Sequence, residues 1–296
     1  MREAEKNKPL PLHPFFFCRN TNMEHVDSMQ LGDWTKRVTE LARVYHEAQP
    51  FSHVIIDEFL PPRVYAQLEE AMEGLSPDIS WYRYFNPLEV KWAWDKLDHM
   101  PPIVQAYFAL MQSSTVVELM RQLTGVATLE HDPYLHGAGV HLYPHGGRLR
   151  MHLDYELHPV TNHERRANVI FFVNRRWDET WGGHTEFWRD SKLPSEVQVP
   201  VKRNRAVIFR TNDHSLHGVP RPLTCPHGMY RRSLAYYYVA PLPESEAQRM
   251  NKRPKAQFFP APNSRLAPDL FRIRTHRRLS SDDVARFAPS SWFSDN

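Results

Sequence analysis

From about residue 126 to residue 242 the chain is a succession of short β-rich runs separated by turns, and this constrains the fold more than any other feature. The runs are "GVHLYP", "RLRMHLDY", "ANVIFFVN", "HTEFW", "EVQVPVKRNRAVIFR" and "RRSLAYYYVA", with turns such as "PHGG", "TWGG" and "KRN". Valine, isoleucine and aromatic side chains suit a pleated, half-buried surface, and glycine and asparagine suit the turns. With no helical pattern between the runs, an antiparallel sandwich or barrel is indicated.

Helical periodicity lies upstream. From Asp33, the residues Trp34, Val38, Leu41 and Tyr45 recur at helical spacing. A short strand, "HVIIDEF", precedes a helix whose face is Val64, Leu68, Met72 and Leu75, with prolines at its start, where missing N–H groups cost little. Two further helical patterns, "PPIVQAYFALMQ" and "STVVELMRQLTG", follow, the second stopped by Gly125. Helices first and strands second imply helices bracing one sheet of a β-sandwich. "WYRYFNPLEVKWAWDKL" is read as a packed helical layer in preference to a lid or substrate groove. One domain is expected over 32–242, with helical support at 32–125 and a β core at 126–242. Residues 1–31 form an irregular arm, whose "PLPLHP" is read as a packed tail rather than a polyproline ligand. Residues 243–296 are polar and Pro/Arg-rich, with a short helical pattern near "SSDDVARFA", and are read as a C-terminal extension.

Composition narrows the function classes. The 296 residues are 41% hydrophobic and 12% aromatic, enough for a substantial core. The net charge of +3 is spread along the chain, so neither nucleic acid nor a membrane is indicated as partner. The basic "FRIRTHRR" is read as a solvated tail. Cys18 and Cys225 are far apart, which argues against disulfides and thiolate zinc sites. No secretory signal or membrane-length apolar run is visible, so an intracellular, cytoplasmic protein is expected. The oddity is 17 histidines.

Within "RMHLDY", His152 and Asp154 share one face of a strand, because side chains alternate with a period of two, and Leu153 points the other way into the packing. By itself the pair fits a solvated polar face, an ion pair or two-thirds of a metal site. Downstream, "AVIFRTNDHSLHGVP" delivers His217 from a later strand. Two imidazoles and one carboxylate on one face of a metal are the arrangement used for non-haem Fe(II), with open positions for substrates. A closed structural zinc site would normally use cysteine, and none is available. In "MYRRSLAYYY", Arg231, Ser233 and Ala235 share one face and Arg232 the other. An arginine inside a barrel is costly unless it meets an anion, and its planar fork suits a carboxylate.

"H-L-D", "HGV-P" about 65 residues later and "RRSL-YYY" together resemble the Fe(II)/2-oxoglutarate-dependent dioxygenases of the prolyl-4-hydroxylase-like group. The resemblance covers roughly residues 50–242. "FSHVIIDEFLPP" resembles the family's opening strand and helix, "LTGVATLEHDPYLHGAGVHLYPHGGRLRMHLDYE" the approach to its first metal strand, and "RRANVIFFVNRRWDETWGGHTEFW" its central strand pair and glycine turn. The resemblance implies a double-stranded β-helix, also called a jelly roll and cupin-like, with supporting helices. It implies Fe(II) held by His152, Asp154 and His217, with 2-oxoglutarate and O2 as co-substrates and ascorbate as a candidate reductant. Arg231 would pair with the distal carboxylate of 2-oxoglutarate, with Arg232 as the competing register because "LTCPHGM" lengthens the connection. Tyr143 and Ser233 are candidates to contact the same co-substrate. Thr185 and Trp181 flank the glycine turn and are candidates to line the pocket, with core packing preferred for Trp181. The implied activity is hydroxylation of a C–H bond, coupled to conversion of 2-oxoglutarate to succinate and CO2. The substrate reading is a prolyl or other peptidyl residue, with a small molecule or sugar as the alternative. A reading from another class is a non-catalytic β-sandwich binding module, which the intact set of four polar residues disfavours. No oligomeric state is read from the sequence.

Overall fold

The computed structural model describes residues 29–75, 79–242, 253, 255–262, 264–290 and 292, so the N-terminal "PLPLHP" and its reading as a packed tail lie outside the described residues. The first helix, α1 (Val38–Glu47), buries Leu41 and Tyr45 one turn apart. Strand β1 (His53–Ile56) leads to α2 (Pro62–Glu73), which begins with proline and buries Val64, Tyr65, Leu68 and Met72. Helices α3 (Pro102–Gln112) and α4 (Ser114–Thr124) are joined at Ser113, whose hydroxyl accepts from the Val116 amide as an N-cap. Gly125 ends α4 in the left-handed conformation at φ 70°, the usual glycine stop.

One stretch departs from the sequence expectation. "WYRYFNPLEVKWAWDKL" is a β-hairpin, β2 (Tyr82–Asn86) and β3 (Glu89–Trp94), rather than a helical layer. Its period is two: Val90 and Trp94 are buried, and Glu89, Lys91 and Ala93 alternate with Val90 and Trp92. Pro87 opposes a continuous helix, and the Asn86 side chain closes the turn by accepting from the amides of Leu88 and Glu89.

The remaining strands are β4 (Glu130–His131), β5 (Gly139–Tyr143), β6 (Arg148–Leu153), β7 (Glu164–Phe172), β8 (Thr185–Trp188), β9 (Val197–Val199), β10 (Ala206–Arg210), β11 (Leu216–Val219), β12 (Arg231–Ala240) and β13 (Gln257–Phe258). They form one sheet in the order β1-β10-β7-β12-β5-β3-β6-β11-β8-β9, curled nearly into a barrel. The pairings β10–β7, β7–β12, β12–β5, β3–β5, β6–β11 and β11–β8 are all antiparallel, as the expected jelly roll requires.

The alternation of side chains divides two cores. Phe171, Leu234, Tyr236 and Tyr238 face the helices, where they pack with Tyr65, Leu68, Tyr107 and Phe108. Phe172 faces the barrel interior with Phe51, Phe187, Val207 and Phe209. Every residue of β12 is buried, because β5 and β7 flank it and both of its faces are covered. The described residues from 255 onward pack against the barrel. β13 pairs with β6, and α5 (Pro268–His276) followed by α6 (Ser281–Phe287) covers the end of β3. Phe271 and Arg274, both within "FRIRTHRR", are buried, so this segment is not the solvated tail that its charge suggests.

Candidate metal and co-substrate site

His152 on β6 stands directly opposite His217 on β11 in the antiparallel register, and Asp154 follows immediately after β6. One donor atom from each of the three lies within 4.8 Å of the others, and all three residues are buried. The His152 Nε2 is 3.5 Å from Asp154 Oδ1, and the His217 Nε2 is 3.7 Å from Asp154 Oδ2. The other ring nitrogens are engaged. His152 Nδ1 donates to the Arg150 carbonyl at 2.9 Å, and His217 Nδ1 to the Ser215 carbonyl at 2.8 Å. That pattern fixes the tautomers and turns both Nε2 lone pairs toward the carboxylate. Phe258 stacks on the His152 ring at 5.2 Å, and Phe209 packs on His217 at 4.8 Å, so both rings are held by aromatic neighbours.

The electrostatics suit a cation. Burial pushes the Asp154 pKa up, but His217, the contact with His152 and the Arg165 guanidinium together hold it well below the ordinary carboxylate range. Burial, reinforced by His152, lowers His217 to about 4. At neutral pH Asp154 is therefore an anion and His217 a neutral base, the protonation states that a metal ion needs. Asn168 on β7 donates to Asp154 Oδ2 at 3.3 Å and orients the carboxylate. Two nitrogens and one carboxylate oxygen, converging from one side with a small cavity of about 60 Å³ beside them, fit a facial non-haem iron site.

Arg231 lies deeper in the barrel and is 1% exposed. Its Nε donates to the Gly183 carbonyl at 2.7 Å, its Nη2 to Thr185 Oγ1 at 3.0 Å and its Nη1 to Ser233 Oγ at 3.4 Å. The guanidinium sits 4.8 Å from the ring centres of both Tyr143 and Phe172. No carboxylate pairs with it among the described residues, and burial lowers its pKa to about 10. The glycine turn serves this arginine. Gly183 adopts φ +81°, and a Cβ there would lie 3.1 Å from Arg231 Cδ. Arg232 faces the opposite way, where Nη1 meets Glu73 Oε1 of α2 at 3.0 Å. Of the two arginines, Arg231 is therefore the one without a carboxylate partner among the described residues.

The other sequence candidates separate in the same way. Tyr143 is opposite Arg231 in the β5–β12 register and lines the small cavity together with Thr185. Burial raises its hydroxyl to about 12, keeping it a neutral donor. Trp181 packs edge-on against Trp177 at 5.3 Å and does not line the cavity. Asn168, Arg165, His141 and Lys91 also surround the site and were not anticipated. Asn168 interrupts the apolar run "ANVIFFVN", a signal that was legible. Lys91 required β3 to be recognised as a strand. A cleft of about 980 Å³ opens from His152 and Asp154 toward solvent, between the β2–β3 hairpin and the C-terminal helices. A groove of about 1050 Å³ lies elsewhere, lined by Arg148, Arg150 and Pro220, and contains none of the three converging donors.

Comparison with known proteins agrees with this architecture. Residues 138–239 match the family model described as the 2OG-Fe(II) oxygenase superfamily. No curated protein sequence matches the chain. Among solved structures, the chain is similar to a prolyl hydroxylase from Trichoplax adhaerens, in complex with a hypoxia-inducible-factor oxygen degradation domain peptide fragment. The identity is 17% and the TM-score 0.51, over 74% of this chain and 97% of that one. A prolyl 4-hydroxylase from Phytophthora capsici aligns at 20% identity and TM-score 0.50, over 74% of this chain and 73% of that one. A non-haem α-ketoglutarate-dependent epimerase from nogalamycin biosynthesis aligns at 15% identity and TM-score 0.50, over 85% of this chain and 95% of that one. Identities this low establish a common jelly-roll fold. The match to the 2OG-Fe(II) oxygenase superfamily spans residues 138–239, the stretch that holds His152, Asp154, His217 and Arg231.

Proposed function

We propose that the protein is an Fe(II)- and 2-oxoglutarate-dependent dioxygenase that hydroxylates a C–H bond of a peptidyl residue, prolyl residues included. The observation that carries this reading is the pairing of two groups in one barrel: a buried, converging His–Asp–His set and a buried arginine with no carboxylate partner among the described residues.

In this reading His152, Asp154 and His217 hold the iron, which supplies O2 activation when bound. Nδ1 of each ring donates to the Arg150 or Ser215 carbonyl, which leaves Nε2 as the atom that faces the metal position. Arg231 grips the distal carboxylate of 2-oxoglutarate, and Ser233 and Thr185 hold the guanidinium in place. Tyr143 offers a neutral hydroxyl beside the same carboxylate. Phe172, Phe187 and Phe209 keep the inner barrel apolar and exclude water from the co-substrate. The substrate reaches the metal from the 980 Å³ cleft, which His152 and Asp154 line and Arg231 does not. That opening has room for several residues of an extended chain, which favours a peptide.

The test is anaerobic titration with Fe(II) and 2-oxoglutarate, followed by exposure to O2, assay of succinate and screening of a peptide and metabolite panel. Succinate is expected from the wild type and not from His152→Ala. Absence of co-substrate binding, or succinate formation that persists in His152→Ala, would overturn the reading.

A further inference from the structure

The cleft that opens from the metal site is unbalanced in charge. Its carboxylates are Glu89, Asp95 and Asp154, whereas Lys91, Lys96, Arg165, Lys255, Arg274, Arg277 and Arg278 all line it. Each carboxylate already has a partner. Glu89, 3% exposed, is held at both oxygens by Arg274, at 2.7 Å and 3.0 Å. Asp154 faces the two histidines, and Asp95 lies 3.7 Å from Lys96. Arg277 is neutralised by Asp283 outside the cleft, and Lys255 donates to the His276 carbonyl.

Three cations remain without a carboxylate among the described residues; Lys255 is engaged by the His276 carbonyl, which leaves Lys91 and Arg278. Lys91 lies two residues along β3 from Glu89, whose oxygens Arg274 has taken, and its ammonium sits 5.3 Å from the Tyr84 ring centre. It lines both the cleft and the small cavity next to His152 and His217. Arg278 stands at the mouth, just after α5, with its guanidinium 4.1 Å from the Tyr82 ring centre and 5.6 Å from that of Tyr84. Arg278 is exposed to solvent while it rests over these rings. Burial disfavours the Lys91 ammonium more than the nearby Glu89 and Asp154 charges favour it, so its pKa is lowered, and an anion that enters with the ligand offsets that cost.

We propose that the cleft selects an acidic peptide, one carrying carboxylate or phosphate groups on both sides of the oxidised residue. One anionic side chain meets Lys91 near the metal, and a second meets Arg278 between the tyrosines of β2. This rests on the peptidyl oxygenase reading above and adds the charge of its substrate.

The test uses the full chain with Mn(II) and 2-oxoglutarate under anaerobic conditions, so that binding is read without turnover. The probes are fluorescein-labelled heptapeptides with a central proline flanked by glutamate, phosphoserine, glutamine or lysine, and the readout is fluorescence anisotropy. The glutamate or phosphoserine peptide is expected to bind about tenfold or more tightly than the glutamine peptide, with the lysine peptide weakest. Whichever acidic peptide binds better identifies the anion as carboxylate or phosphate. Lys91→Met and Arg278→Gln are each expected to weaken the acidic peptide about tenfold, whereas Lys91→Arg and Arg278→Lys retain most of the affinity. Equal affinities across the panel, including none detectable, would overturn the proposal. So would a Lys91→Met effect confined to the KM for 2-oxoglutarate, which would make Lys91 a co-substrate residue. Loss of wild-type succinate formation instead overturns the oxygenase reading and leaves the affinity ranking to decide the charge preference.

Discussion

Asp154 illustrates how four neighbours set one residue. Its carboxylate is buried, yet His152, His217 and Arg165 keep it ionised, and Asn168 fixes its direction through a hydrogen bond of 3.3 Å. Removing an orienting group of this kind typically weakens metal affinity, so Asn168→Ala is expected to cost about 10–100-fold in Fe(II) affinity, read by anaerobic titration. His217 carries a pH signature in the metal-free protein. Burial lowers it to about 4 from the ordinary 6.5, so the folded state favours the neutral ring and the unfolded chain binds the proton first. The stability it contributes is complete above pH 6.5 and is lost as pH falls toward 4. Thermal denaturation of the metal-free protein is expected to show a falling Tm across that window, with a shallower fall in His217→Gln. Arg231 makes the matching point for the cation. Its register against Arg232 is decided by which side of β12 has an acid available, and Glu73 takes Arg232.

At the scale of elements, the site depends on strands far apart in the chain. β6 and β11 bring the histidines opposite each other, and β12 and β8 bring Arg231 to Thr185. The glycine turn before β8 is shaped to the arginine, since Gly183 has φ +81° and a Cβ there would lie 3.1 Å from Arg231 Cδ. The β2–β3 hairpin and α5 form the cleft walls and are joined by the buried Glu89–Arg274 pair. Arg274→Ala leaves Glu89 buried without its partner and is expected to cost about 3–5 kcal/mol. The double variant Glu89→Leu/Arg274→Met removes both charges and is expected to lose much less, a contrast that urea denaturation measures directly. Equal losses would mean that α5 is held by its apolar contacts alone.

Across the whole molecule, stability is concentrated where β7 and β12 run between two neighbouring strands, with helices on one face and the barrel interior on the other. Their amides are expected to exchange most slowly with deuterium, and those of β2, at the edge of the cleft, much faster. The C-terminal segment belongs to this architecture as well, since β13 pairs with β6 and Phe258 covers His152. How much of this was legible in sequence follows from range. The turn-separated β runs after residue 126, Gly125 as a helix stop and the His152–Asp154 pair on one strand face are local patterns, and backbone geometry acts on them locally. The hairpin at 82–94 was misread because its aromatic content suited a packed helical layer as well as a strand. Lys91 was hidden with it. "FRIRTHRR" was misread because charge density says nothing about a partner 185 residues away, and only the fold brings Glu89 to Arg274. The sequence by itself determined the antiparallel β class and the chemical types of the candidate metal donors, because side-chain alternation and residue chemistry are properties of a short segment. Only the tertiary structure decided which arginine faces inward, what closes the cleft and which cations remain unpaired, because burial and charge pairing depend on every element that surrounds a group.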